Sequence, residues 1–325
     1  MQNMNIEMRF FLNSMKLWGD KPYQSLNYYL KEQYHEKIYK LSLNGGMTCP
    51  NRDGKISYGG CIFCSEGGSG DFATSSRLSI PEQIKAAKEK MHGDTVTKTV
   101  GHKYIAYFQA YTNTYAPVSV LRKLFYEAIE DPEIVILSIA TRPDCLSEEI
   151  LDLLEEINTI KPVWIELGLQ TIHEDTAILI NRGYSLSCFD HAVEALAKRN
   201  LSIIVHVILG LPGETNEDIL KTISYLNSKP IHGIKLQLLH VLKNTKLADY
   251  MDKIKLYSIE EYIELLIDCI THIRPDIVIH RITGDGPKKL LLAPLWSSNK
   301  KLVLNSIHKA MKETNSWQGK YYREV

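Results

Sequence analysis

The sequence predicts an α/β fold on a parallel sheet, closed into a partial or full barrel or left as a doubly wound open sheet. Two observations predict it. Short apolar runs rich in Val, Ile and Leu alternate with stretches of helical periodicity over six repeats, and strict alternation of this kind demands parallel pairing through right-handed crossovers. The polar residues that break the runs gather where each run ends, the place where parallel α/β folds put their sites.

In chain order, residues 37–43 are the first strand, followed by a long glycine-rich loop and a helical pattern over 81–91. Residues 103–109 are the second strand, which exits at Gln109 with Thr112–Thr114 before a helix over 118–130. The third, 134–141, exits at Thr141–Arg142, and Ser147 ahead of Glu148–Glu149 marks the start of a helix over 147–158. The fourth, 163–169, exits at Gln170–Thr171 and is followed by a helical pattern over 187–199. The fifth, 203–209, exits through Gly210 and Pro212–Glu214, where Thr215 with Asp218 opens a helix over 217–227. The sixth, 234–241, precedes a helix over 259–273. A further strand-like stretch, 277–282, and a helical stretch, 299–312, form an extension. The organisation expected is an N-terminal segment, 1–36, packing on a barrel of 37–275, with a C-terminal extension over 276–325.

Composition narrows the class. The 325 residues are 44% hydrophobic and 23% charged, which suits a large packed core and not a disordered chain. No apolar run reaches the roughly 18–20 residues of a membrane span, and the first twenty residues lack the order of a signal peptide, so a cytoplasmic protein with no membrane partner is expected. Net charge is zero, but it is segregated: residues 281–325 hold nine Lys or Arg against three acids, and 144–175 hold nine acids against Lys161 alone. A polyanion can use that segregation, and so can ordinary solvated helix faces.

Six cysteines are unevenly placed, which excludes a disulfide scaffold. Three of them, Cys49, Cys61 and Cys64, fall in one loop with eight glycines between residues 45 and 70. Glycine density lets backbone wrap closely around a bulky centre, and three thiolates suit iron–sulfur or zinc. A structural zinc site needs a fourth ligand, and no histidine stands at finger spacing. Three thiolates on a cubane would leave one iron open. Cys145, Cys188 and Cys269 are isolated and read as inert small side chains.

Ordered motifs run along the chain: Gly45-Gly-Met-Thr-Cys49-Pro-Asn-Arg-Asp-Gly54, Gly59-Gly-Cys61-Ile-Phe-Cys64, Gly68-Ser-Gly-Asp-Phe72 and Phe108-Gln-Ala-Tyr-Thr-Asn-Thr-Tyr-Ala-Pro117. Ala140-Thr-Arg-Pro-Asp-Cys145, Glu166-Leu-Gly-Leu-Gln-Thr171, Asn181-Arg-Gly183, His206-Val-Ile-Leu-Gly-Leu-Pro-Gly-Glu214, Leu239-His-Val-Leu-Lys-Asn-Thr245 and His280-Arg-Ile-Thr-Gly-Asp285 complete the set. As a set they resemble radical S-adenosylmethionine (SAM) proteins of the YtqA/YhcC type, whose barrel is related to the catalytic subunit of Elongator. The resemblance implies a radical SAM partial (β/α)6 TIM-like barrel with a C-terminal α/β extension, a 4Fe–4S cluster on Cys49, Cys61 and Cys64, and SAM bound at the open iron. It implies a 5′-deoxyadenosyl radical that takes hydrogen from a substrate carbon.

On that footing Phe63 is expected to face adenine, Gln109, Asn113 and Thr114 to meet the SAM amino group, and Arg142, just beyond Ser138, to fork onto the methionine carboxylate. Glu166, costly inside an apolar strand, is expected to face the interior and bind ribose. Gln170, His206 and Leu209 complete the expected cofactor wall. Lys235, His240, Arg281 and Lys288 are candidate substrate contacts.

The resemblance also implies action on tRNA: conversion of 5-carboxymethylaminomethyl-(2-thio)uridine at the wobble position to 5-aminomethyl-(2-thio)uridine. A chemistry that fits is hydrogen abstraction beside the nitrogen, loss of one electron to the oxidised cluster and of one proton to give an imine, and hydrolysis of that imine to release the carboxymethyl group as glyoxylate. Expected partners are tRNA, an electron donor such as flavodoxin or ferredoxin, and a downstream tRNA methyltransferase. The basic C-terminal segment would hold anticodon-stem phosphates. Two alternatives stay open: a radical SAM enzyme acting on a peptide or small molecule, and a zinc-stabilised nucleic-acid-binding module without catalysis.

Overall fold

The computed structural model describes residues 15–92, 101–284 and 286–324. Its main element is a parallel sheet whose strands run in chain order from one edge to the other. Strands β1 (Tyr39–Leu43), β2 (Tyr104–Phe108), β3 (Ile134–Thr141), β4 (Val163–Gln170), β5 (Ser202–Leu209) and β6 (Gly233–Leu238) are the six expected from the apolar runs. The sixth run is shorter than expected: it breaks after Leu238, and Val241–Leu242 (β7) leaves to pair with Leu291–Ala293 (β9) in a separate two-stranded sheet. The extension is not appended to the barrel but continues it. Its strand β8 (Val278–Arg281) pairs with β6 and makes the seventh member of the curled sheet.

Helices surround the sheet, one of them beneath it and the rest over its outer face and edges. They are α1 (Leu26–Tyr34), α2 (Ile80–His92), α3 (Val118–Ile129), α4 (Glu148–Asn158), α5 (Glu174–Leu179), α6 (Leu186–Lys198), α7 (Asn216–Asn227), α8 (Ile259–His272) and α9 (Lys300–Glu313). Capping sets several starts: Thr215 and Asp218 form a reciprocal capping box on α7, as do Ser258 and Glu261 on α8. Ser147 stands at the N-cap of α4 without a capping bond from its side chain, and that start leans on Glu148 and Glu149 in the first turn. The outward strand residues, such as Leu41, Phe108, Leu137, Leu167 and Val205, join helix residues in the main core. Each such Leu or Ile, fully buried, stabilises by roughly 1.5–3 kcal/mol.

The inward residues stack in layers, because alternate side chains on each strand share a face. The lowest layer is apolar: Ile105, Ile136, Trp164 and Ile204, plugged from below by Ile38 and by Leu30 of α1. Two residues further along each strand the layer is polar, with Lys40, Tyr107, Ser138, Glu166, His206 and Lys235. Above that the interior opens toward the carboxyl ends. No helix among the described residues is long and apolar enough to cross a membrane.

Candidate active site

A cavity of about 230 Å³ opens at the carboxyl end of the sheet, and Cys49, Cys61 and Cys64 line one side of it. The loop that carries them is fastened by its own polar groups. Arg52 and Asp53 donate backbone N–H to the Cys49 carbonyl, and the Cys64 N–H donates to the Cys61 carbonyl at 3.1 Å, which folds Cys61–Cys64 into a turn. Asn51 is fully buried, and its amide donates to the Asn181 carbonyl at 2.6 Å, the Arg182 carbonyl at 3.1 Å and Cys61 Sγ at 3.7 Å. Asn181 returns the clamp, donating to the Gly60 carbonyl at 2.8 Å and to Ser57 Oγ at 2.9 Å. Gly183 must be glycine here: its φ is +80°, and a Cβ would stand 2.5 Å from Asn51 Oδ1. Arg52 donates to the Ser65 carbonyl at 2.5 Å and lies over the Tyr111 ring.

The thiols are electrostatically unequal. Cys64 is brought down to about 7, first by its hydrogen bond with Cys61 and then by the Arg52 guanidinium, while the same pairing and burial push Cys61 well up. Of this pair Cys64 is the readier thiolate. Among the described residues no three His, Cys, Asp or Glu side chains close on one point as ligands of a single ion would. The sulfurs instead share a cavity wall, which suits a cluster that offers a separate corner to each.

Of the residues expected to line the site, Phe63, Gln109, Arg142, Glu166, Gln170, His206, Lys235, His240 and Arg281 do line the cavity. Gln170 fits a bound ligand best. It adopts a left-handed φ of 68°, and its Oε1 is buried without a hydrogen-bond partner in a wall that a ligand donor would complete. Gln109 is anchored by donating to the Ser69 carbonyl at 2.8 Å.

Other expected side chains stand elsewhere. Asn113 does not line the cavity; its amide nitrogen donates to the Phe108 and Ala140 carbonyls, where it ties β2 to β3, and its Oδ1 is buried without a hydrogen-bond partner, an acceptor still open to a ligand donor. Thr114 is turned away, its hydroxyl bonded to Thr141 Oγ1 and the Cys145 carbonyl; Tyr111 and Thr112 of that loop line the cavity. Ser138 sits beneath, donating to Glu166 Oε1 at 2.8 Å. Leu209 faces outward into the main core and Ile208 faces the cavity, since adjacent strand residues point to opposite faces. Arg142 lines the wall, but its fork is closed bidentately on Asp144 and its remaining nitrogen donates to the Arg182 carbonyl. Lys288 is exposed beyond Pro287 at the rim. Asp285, the last residue of its motif, lies outside the described residues.

Glu166 is the centre of the polar layer. Lys40 and Ser138 donate to Oε1, and Lys235 and His206 donate to Oε2. Despite complete burial its carboxyl is held well below the ordinary value, by Lys235 first and Lys40 next. Lys235 is itself lowered, to about 7, because burial and the neighbouring Lys40 and Arg281 outweigh the ion pair. Burial pushes His206 down to about 4, so it is neutral and donates through Nε2. The Tyr107 hydroxyl accepts from Lys235 Nζ at 3.2 Å, and the ammonium groups of Lys40 and Lys235 stand 4.6 Å and 4.7 Å from its ring centroid. Lys40 and Tyr107 had no place among the expected site residues.

Comparison with known proteins decides the class. A profile of the Radical SAM superfamily matches residues 49–226, more than half the chain, and the Radical_SAM C-terminal domain matches 231–313. The chain belongs to the radical SAM superfamily. It is 43% identical over 308 residues to the uncharacterized protein YtqA of Bacillus subtilis, covering 94% of each chain. It is also 39% identical over 274 residues to protein YhcC of Escherichia coli, covering 83% of this chain and 86% of that one. Among solved structures it resembles the archaeal Methanocaldococcus infernus Elp3 with an N-terminal deletion, at a TM-score of 0.64 and 18% identity, over 87% of this chain and 64% of that one. This last likeness is one of fold. As a member of that superfamily this chain uses a 4Fe–4S cluster and SAM, and the zinc-only reading of the cysteines is set aside.

When bound, these cofactors supply reductive cleavage of SAM and hydrogen-atom abstraction. The chain's own part is separate. Cys49, Cys61 and Cys64 would hold the cluster, and Gln109, Gln170 and Phe63 face the volume left for SAM. Arg142, Arg182 and Tyr184 keep the wall rigid: both guanidinium groups lie over the Tyr184 ring, 4.8 Å and 4.9 Å from its centroid, and Arg182 donates to the Leu169 and Thr171 carbonyls at the end of β4.

Proposed function

We propose that this radical SAM enzyme acts on tRNA, converting wobble 5-carboxymethylaminomethyl-(2-thio)uridine to 5-aminomethyl-(2-thio)uridine by removing the carboxymethyl group. The observation that carries this reading is a three-cysteine loop set over a cation-rich cavity, in a chain that shares its fold with Elp3 across most of its length. The anionic end of the modified base suits the Lys235 and Arg281 side of the cavity, and Lys288 and Lys289 at the rim suit a phosphate backbone.

The basic C-terminal segment divides in two on this view. Lys288 and Lys289 directly follow cavity-lining Pro287. Lys320 instead lies near the amino end of the sheet, where neighbouring Gln318 donates to the Ile277 carbonyl just ahead of β8. An electron donor such as flavodoxin or ferredoxin and a downstream tRNA methyltransferase belong to the same proposal, as does a cytoplasmic location. Nucleoside analysis of tRNA from a deletion strain tests it. Accumulation of the carboxymethylaminomethyl form with loss of the aminomethyl form is expected, and unchanged wobble nucleosides would remove the assignment and leave the enzyme class intact.

A further inference from the structure

The polar layer beneath the cavity holds one carboxylate for two ammonium groups. Lys40 Nζ stands 2.5 Å from Glu166 Oε1, and Lys235 Nζ is in direct contact with Oε2. Ser138 and His206 take the two remaining positions on that carboxylate, so Glu166 is saturated and has nothing left to offer an incoming donor. Lys235 is not saturated. An ammonium has three protons to donate; one goes to Glu166, one to Tyr107, and the third has no partner among the described residues. Lys235 is only 4% exposed, yet it borders the cavity, and Arg281 borders the same volume. The apolar layer of Ile105, Ile136, Trp164 and Ile204 seals the space below, so whatever meets that proton comes from the cavity.

We propose that this layer is an anion subsite in which Lys235 receives a carboxylate of the substrate, beside the Tyr107 hydroxyl. An arriving anion supplies the counter-charge that keeps Lys235 in its ammonium form, and a floor on which Lys235 is only 4% exposed favours a small planar anion at the end of a slim chain. Glu166 fixes the Lys235 ammonium and does not itself touch the ligand. The inference rests on the cavity being the substrate chamber of the proposed reaction; it adds the residue that selects an acid over the corresponding neutral or cleaved group.

The test uses anaerobically reconstituted enzyme with SAM, titrated with N-methylglycine and, separately, with N-methylglycine amide, binding being read by ligand-observed NMR. The acid is expected to bind at least about tenfold more tightly than the amide, the worth of one charge-assisted hydrogen bond. Lys235→Met is expected to remove that preference and to leave the amide unchanged. Equal binding of acid and amide by the unmodified enzyme overturns the proposal, as does full retention of the preference in Lys235→Met. Should Lys235→Met fail to fold, the acid and amide comparison on the unmodified enzyme decides alone. A preference for the acid alongside unchanged wobble nucleosides in the deletion strain would keep the subsite and discard the tRNA reading; changed nucleosides without the preference would do the reverse.

Discussion

Replacing Glu166 by Gln would leave Lys40 and Lys235 in one buried layer without their counter-charge. At the observed 2.5 Å separation from Lys40, the attraction lost is roughly 7 kcal/mol at an effective dielectric of about 20. The desolvation cost that Gln no longer carries offsets part of it, and removing one partner of a buried pair costs about 3–5 kcal/mol in practice. Against a total stability of about 5–15 kcal/mol that is a large loss, and it lowers Tm by on the order of 10 °C. Lys235→Met should cost less, about 1–3 kcal/mol, because Glu166 keeps Lys40, Ser138 and His206. In the double variant only Lys40 remains charged, and its side chain is 21% exposed and can hydrate. The double loss should therefore fall short of the sum by about 1–3 kcal/mol. Urea unfolding of the four proteins at one pH, with unchanged m-values, measures this directly. Losses that add within about 0.5 kcal/mol would refute the claim that the layer is a single charge network.

Ala at Cys49, Cys61 or Cys64 should each abolish the absorbance at about 400 nm of thiolate-bound iron–sulfur and the production of 5′-deoxyadenosine, with the far-ultraviolet circular dichroism kept. Asn51→Asp should lower iron content after reconstitution, since a carboxylate would face the Asn181 and Arg182 carbonyls and the Cys61 sulfur that the amide now serves. Stability should respond to pH with opposite causes at the two ends. Glu166 has a depressed value in the fold, so its contribution is present above the ordinary glutamate range and is lost as pH falls through its own lower value. Lys235 titrates at about 7 against an ordinary 10.5, so the unfolded chain binds the extra proton between those values and stability rises with pH there; urea midpoints from pH 4 to 10 check both slopes. Lys288→Ala with Lys289→Ala should weaken tRNA binding and flatten its salt dependence by roughly 1–2 units of log–log slope, and Lys320→Ala should leave the slope alone.

The strands and the cysteine loop were legible because their signals are local. Period-two and period-3.6 patterns gave seven strands and most of the helices to within a few residues, and three thiols among glycines point to a metal centre wherever the loop happens to go. What was not legible depends on register between strands. Ser138, Glu166, His206 and Lys235 each stood out singly as polar residues in or beside apolar runs, but only the stagger of β3 through β6 brings them together: His206 lies opposite Lys235, while Glu166 is two residues past the partner of Ser138 and His206 two past the partner of Glu166. Lys40 and Tyr107 were missed because a lysine and a tyrosine at strand positions read as ordinary amphipathic residues until the opposite carboxylate is in place. Leu209 failed by one position, which on a strand is the whole difference between core and cavity. Thr114 turned away because a hydroxyl bonds nearby backbone as readily as a ligand. The helix Leu26–Tyr34, which plugs the barrel from below, lies in a segment whose apolar residues are mostly tyrosines, a weak periodic signal.

The cations around the cavity divide by what their donors are spent on, and this division explains why the two ends of the site should behave differently. Near the cysteines the charges are guanidinium groups used as scaffold: Arg52 holds the Ser65 carbonyl, Arg142 holds Asp144 and the Arg182 carbonyl, and Arg182 holds the Leu169, Thr171 and Tyr184 carbonyls. A planar fork with five donors can satisfy several fixed acceptors at once, and a lysine cannot. Arg182→Lys should therefore loosen the end of β4 and reduce cluster retention although the charge is kept, which iron content and proteolytic sensitivity of the 171–185 segment would show; unchanged values for both would mean that charge alone suffices there. On the floor the charge is a compact ammonium with a donor to spare. A wall built of forks resists rearrangement while the cofactors bind, and a floor built of an incompletely used ammonium gains most when an anion arrives.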